Sequence, residues 1–217
     1  MKKELLELLV CPKTKQKLHI EQEIRSGVEI ESGFLVSADM NYKFKIQKGV
    51  PRFVPLENYS DNFGMQWNIY SRTQLDSYSK QTISADRFWN ATGWDKDTLK
   101  DQWVLDVGSG SGRFTEIALN AGAKVVALDY SSAVDACYNN FRDHENFHVV
   151  QGDIYEFPFD VGLFSFVYCL GVLQHTPDPQ NAFLSLPKML KKDGRICVDY
   201  HEKSWKSALL PKYWLRP

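Results

Sequence analysis

The sequence predicts an α/β protein, a doubly wound and mostly parallel sheet preceded by a small α+β module. Three observations predict it. From Trp103 to Tyr200 short apolar runs alternate with helical stretches, which implies crossover connections and a sheet covered on both faces. The first run passes straight into Gly108-Ser-Gly-Ser-Gly112, a turn in which the backbone reverses sharply at a helix start. Residues 1–56 instead show period-two alternation between glycines, the pattern of antiparallel strands.

Taken in order, Lys2 to Leu9 reads as a short helix stopped by Cys11-Pro12. Strand patterns follow at Leu18–Glu21, Val28–Glu31, Gly33–Val36 and Tyr42–Ile46, and Pro51 and Pro55 close the unit. Residues 57–100 carry Tyr59, Phe63, Trp67, Tyr70, Tyr78, Phe88, Trp89 and Trp94 with weak periodicity. So many large rings do not belong to a solvated linker, so this stretch reads as a helical connector or cover. Residues 101–217 form the third part. Its strands fall at Trp103–Val107, Lys124–Leu128, Phe147–Gln151, Leu163–Tyr168 and Gly194–Tyr200. Its helices fall at Arg113–Ala121, Ser132–Phe141 (capped by Ser131 or Ser132) and Pro179–Leu190.

Composition narrows the function. With 217 residues, 43% hydrophobic and 24% charged, the chain can bury a substantial core. A formal net charge of −1 gives no electrostatic footprint for nucleic acid. The four cysteines, Cys11, Cys137, Cys169 and Cys197, contain no Cys-x-x-Cys pair, which argues against a disulfide framework and a zinc site. Glu4 and Glu7 interrupt the only apolar stretch near the N-terminus, so no signal peptide is read. No run of about 18 apolar residues spans a membrane, and a cytoplasmic location is the default expectation.

A glycine-rich turn alone serves several nucleotide cofactors. Acidic residues narrow the choice. Asp106 lies two residues before the first glycine, where an acid suits the amino or sulfonium side of a cationic cofactor better than a pyrophosphate. Asp129 ends the second strand, where a carboxylate can accept both ribose hydroxyls. Asp153 follows the third strand beside Ile154, in position to take an adenine amino group.

Val104–Phe114, Ala127–Ser131, Gly152–Ile154, Gly171–Asp178 and Leu190–Ile196 resemble, in order, the successive motifs of class I S-adenosylmethionine-dependent methyltransferases. The resemblance implies a Rossmann-like domain with S-adenosyl-L-methionine as cofactor. It implies that Asp106, Gly108, Ser109 and Gly110 bind the methionine moiety and Asp129 the ribose. Adenine would lie against Tyr130, Asp153 and Ile154, and Leu170 to His175 would line the methyl-transfer side. A dinucleotide-dependent oxidoreductase is the rival reading, and Asp106 and the 171–178 segment speak against it.

Leu5 to Leu18, with Ile46 to Pro55, resembles a zinc-ribbon-like module found in an activator of methyltransferases and at the front of some ribosomal RNA guanine methyltransferases. Thr14 stands where metal-binding versions have a second cysteine, and no later cysteine pair is present around Ser37 to Tyr42. A degenerate, metal-less module is therefore expected. Residues 62–94 resemble a segment preceding the fold in bacterial methyltransferases linked to sugar and cell-surface polysaccharide modification.

Methyl transfer from a sulfonium is an in-line displacement that rests on alignment and exclusion of water. An oxygen nucleophile that is not already acidic needs a base. His175 is the first candidate, and His201 with Tyr200 the second. The expected acceptor is a small molecule or glycan; RNA methylation and a catalytically idle cofactor-binding module are the alternatives. Only seventeen residues follow Tyr200, so the chain is expected to be C-terminally truncated and to lack the last strand pair of the fold. Its fifth strand would then be an exposed edge, open to a homodimer through that edge or the C-terminal segment.

Overall fold

The computed structural model describes residues 1–55 and 61–200. Among the described residues nine strands form one sheet in the order β1-β2-β3-β4-β7-β6-β5-β8-β9. Its first four strands are β1 (Leu18–Ser26), β2 (Glu29–Ser37), β3 (Lys43–Gln47) and β4 (Val50–Arg52), paired antiparallel. The remaining five are β5 (Trp103–Val107), β6 (Lys124–Asp129), β7 (Phe147–Gln151), β8 (Phe164–Cys169) and β9 (Leu190–Val198), all parallel. Among the described residues β9 ends the order at one side.

Two N-terminal expectations change. The segments 28–31 and 33–36 belong to one strand, β2, which runs through Gly33 at φ +152, a backbone angle that glycine adopts readily. Pro51 does not close the unit but sits inside β4, opposite Ile46. A proline lacks the N–H that a central strand donates, and β4 accordingly meets β7 through a single pair, Arg52 and Gln151. Arg52 reinforces that seam: its Nη1 donates to Gln151 Oε1 at 2.7 Å and its Nη2 to Asp135 at 2.6 Å. The small module thus continues the same sheet as the parallel strands.

The helix α1 (Lys3–Leu8) lays Leu5 and the following Leu9 into a core shared with Ile30, Leu35, Ile46, Leu105, Val107 and Leu128. The opposite face of the sheet is covered by α4 (Ile83–Thr92) and α5 (Thr115–Asn120), whose Phe88 and Ile117 pack with Val104, Phe114 and Tyr168. The alternation along β5 sorts its residues: Leu105 and Val107 face the first core, Val104 the second. The helices α2 (Asp61–Ile69), α3 (Asp76–Ser79) and α4 follow one another between 61 and 92, joined by turns.

Helix ends are set by local chemistry. Gly93 ends α4 in the left-handed region, its N–H returning to Trp89 O. Asp76 accepts from the Ser84 and Ala85 amides at the start of α4. Ser131 Oγ accepts from the Ala133 amide at the start of α6 (Ala133–Phe141). Asp178 caps α7 (Pro179–Ser185), and Pro187 sits in a 3-10 turn that replaces the last expected turns of that helix. β9 begins at Leu190, earlier than the expected Gly194, with an irregularity between Leu190 and Arg195.

Candidate cofactor and acceptor site

A cavity of about 420 Å³ opens at the carboxyl ends of β5, β6, β7 and β8, where open α/β sheets bind their ligands. Its size falls in the range of small-molecule sites. Gly108, Ser109, Gly110, Asp129, Tyr130, Asp153, Ile154, Leu170 and His175 all line it. His201 lies outside the described residues, as does the rest of the segment after Tyr200.

Asp106 departs from expectation. It does not line the cavity and is 3% exposed, with its Oδ2 accepting from Thr115 Oγ1 at 2.6 Å. Along a strand the side chains alternate, and Asp106 shares the face of Val104, toward α5, whereas Val107 reaches the cavity. Burial pushes its carboxyl up to about 7, against the hydrogen bond from Thr115. Asp106 therefore supports the strand end from beneath and makes no contact across the cavity.

The glycine turn spends its amides internally. Gly108 and Ser109 donate to Leu128 O at 2.7 and 3.1 Å, Gly112 donates to Ser109 O at 2.9 Å, and Gly110 donates to Asp129 Oδ2 at 2.8 Å. A phosphate cradle needs such amides unpaired. This turn does not offer those four, which counts against a pyrophosphate ligand. Gly108 has φ +79, and the Val172 side chain occupies the place a Cβ would take, so only glycine fits there.

Asp129 is anchored on three sides. Besides the Gly110 amide, its Oδ1 accepts from the Ser131 amide at 2.8 Å and the Ser131 hydroxyl at 2.7 Å. A carboxylate offers about four acceptor positions, which leaves one on Oδ2. One ribose hydroxyl can be taken directly, and a second if the Ser131 hydroxyl turns away. Burial raises its pKa, opposed by those hydrogen bonds. Asp153 is raised by burial too, and its Oδ1 accepts from the Tyr155 amide at 2.9 Å. Buried Ile154 supplies an apolar wall beside it.

Sequence reasoning did not assign Trp67, Gln74, Arg87 and Arg113, which also line the cavity, together with Gln174 of the expected 170–175 segment. Trp67 covers the turn, its ring 3.5 Å from where a Gly110 Cβ would lie. Arg87 Nη2 pairs with Asp199 Oδ2 at 2.6 Å, and Asp199 Oδ1 accepts from the Gly171 amide. Gln174 Oε1 is buried without a hydrogen-bond partner among the described residues, a polar group open to a ligand or a water. A purine nucleoside with an amino-acid tail fits these residues: a ribose acceptor, a polar and apolar pair for the base, and an open buried carbonyl. His175 stands at the end of a 3-10 turn, its amide donating to Val172 O at 2.8 Å.

The site and sheet define the class I, Rossmann-like methyltransferase fold. Residues 105–198 match the methyltransferase domain family, and residues 2–49 match the Trm112p-like protein family. The ubiquinone biosynthesis O-methyltransferase of Coxiella burnetii is 31% identical over 114 residues, covering 52% of this chain and 49% of that protein. The enzyme of the same name from Pectobacterium atrosepticum is 26% identical over 125 residues, 49% of this chain and 47% of its own. This chain thus spans about half the length of these curated relatives. Among solved structures, a Methanococcus maripaludis chain assigned to the S-adenosyl-L-methionine-dependent methyltransferases superimposes with TM-score 0.53 at 20% identity, over 67% of this chain and 66% of that one.

Proposed function

We propose that this chain is an S-adenosylmethionine-dependent methyltransferase that acts on a small-molecule or sugar acceptor. The observation that carries it is the convergence of the glycine turn, Asp129 and Asp153-Ile154 on one cavity while the turn keeps its amides for itself. Such a turn suits an uncharged ribose and a cationic tail rather than a phosphate. The bound cofactor supplies an activated methyl group. Asp129 holds the ribose, and Asp153 with Ile154 and Tyr130 receives the adenine. Trp67 and Leu170 narrow the cavity and exclude water, which favours in-line approach of the acceptor. His175 borders the same space and is the proposed base for an oxygen acceptor.

The small-molecule reading is supported by the relatives' name and by the chain's lack of net positive charge. Residues 1–56 are proposed to be a distinct module serving the domain at 101–217, across the connector at 57–100. A metal-less state for that module, a cytoplasmic location and a homodimer through β9 belong to the same proposal. Among the described residues no helix is long and apolar enough to cross a membrane.

A radiolabelled methyl-transfer screen against small phenols and acids, sugars and RNA tests the reading. Label on a small acceptor or sugar is expected. Transfer to RNA alone would overturn the acceptor class, and absence of both transfer and cofactor binding would overturn the enzyme.

A further inference from the structure

Two arginines border the cavity around Phe114, with the Arg87 and Arg113 guanidinium carbons 5.5 and 5.0 Å from the ring centroid. Their electrostatic situations differ. Arg87 is neutralised by Asp199. Arg113 makes no ion pair among the described residues. Its Nε donates to the Oγ of Ser84 at 3.0 Å, and Ser84 is 2% exposed and itself donates to Gln74 O at 3.0 Å. The nearby carboxylate, Asp76, has both oxygens engaged by the Ser84 and Ala85 amides. A buried hydroxyl thus fixes one edge of the Arg113 guanidinium. The Nη1 and Nη2 edge is left as a prepared fork in the wall of the cavity.

The charge balance says what that fork is for. S-adenosylmethionine carries a carboxylate, an ammonium and a sulfonium, a net positive charge. The acids Asp129 and Asp153 are committed at the ribose and adenine end. With the Arg87–Asp199 pair summing to zero, Arg113 is a cavity-lining positive charge without an ion-pair partner among the described residues. Burial, and then the neighbouring Arg87, disfavour that charge, and Asp76 offsets them only in part. An anionic partner relieves it.

We infer that the methyl acceptor carries an anionic oxygen group, such as a carboxylate, and that the Arg113 fork held by Ser84 reads it. This rests on the methyl-transfer reading. The inference makes Arg113 a specificity residue: neutral analogues of the acceptor should be bound poorly although the cofactor is bound well. A carboxylate matches the two parallel N–H groups of the fork, and a lysine ammonium cannot reproduce that geometry.

The test uses the full chain saturated with S-adenosylhomocysteine, and benzoate and its neutral isostere benzamide as probes, followed by ligand-observed NMR. Benzoate is expected to bind at least about tenfold more tightly, the worth of one charge-assisted hydrogen bond. Arg113→Met should abolish that preference while S-adenosylhomocysteine affinity stays within about threefold of the parent. Arg113→Lys should keep part of the preference, which guards against a folding defect in the first variant. Equal binding of benzoate and benzamide by the parent protein overturns the inference. So does a tenfold or greater loss of S-adenosylhomocysteine affinity in Arg113→Met, since the fork would then belong to the cofactor's carboxylate. A parent protein that binds no S-adenosylhomocysteine overturns the methyl-transfer reading itself.

Discussion

Replacing Asp106 by asparagine should change how stability depends on pH, and the sign follows from burial. In the folded chain the Asp106 carboxyl keeps its proton up to about 7, whereas its ordinary value is 3.8. The folded state therefore binds that proton more tightly than the unfolded state. The associated stability is fully present below 3.8 and is lost as pH rises through about 7. At ~1.36 kcal/mol per pH unit the interval corresponds to a loss of the order of 4 kcal/mol, an upper bound if the buried site relaxes. Asparagine retains a carbonyl oxygen for the Thr115 hydroxyl and does not titrate. Urea unfolding at half-unit steps from pH 4 to 8 should thus show the variant gaining on the parent by about 2–4 kcal/mol across the interval, most of it before pH 7. Parallel profiles for the two proteins would refute the claim that Asp106 is buried against its charge.

His148 provides the opposite slope. It is buried, with its Nε2 3.5 Å from Glu4 but neither ring nitrogen hydrogen-bonded among the described residues, and burial lowers its pKa to about 4 from 6.5. Its contribution is present above 6.5 and lost as pH falls through about 4, so His148→Gln should flatten the acid side of the urea midpoint profile by roughly 1–3 kcal/mol. Gly108→Ala forces a side chain into the space of Val172 at φ +79; an expected cost of about 1–3 kcal/mol in urea unfolding, with cofactor affinity down at least about tenfold, is absent if the turn can relax. Arg52→Met strips Asp135 and Gln151 of their partner at the β4–β7 seam. It should cost about 3 kcal/mol, and Arg52→Met with Asp135→Leu should recover part of that loss in a thermal or urea melt.

The parallel half of the sheet was legible because its strands are short β-branched and apolar runs broken by glycine, acid or serine. Trp103–Val107 and Phe147–Gln151 appear with the bounds read from sequence. β4 was not legible: three residues containing a proline give no periodic signal, and it is the hairpin pairing with β3, joined by one pair to β7, that makes them a strand. Asp129 and Asp153 could be placed because strand ends meet the cavity whatever the details of packing. Asp106 could not, since its direction depends on which face of β5 turns toward α5. The cover residues Trp67, Gln74 and Arg87 reach the site by tertiary folding alone. Arg113 did carry a signal: a cation one residue after the last glycine must lie at the rim of the turn.

The most direct test of the central claim is calorimetric titration of S-adenosylmethionine into the parent chain and into Asp129→Ala. The account predicts saturable one-site binding by the parent. It predicts a loss of about 10- to 150-fold in the variant, the worth of about 1.5–3 kcal/mol for a hydrogen bond to a charged acceptor. Equal affinity in the two proteins would contradict it.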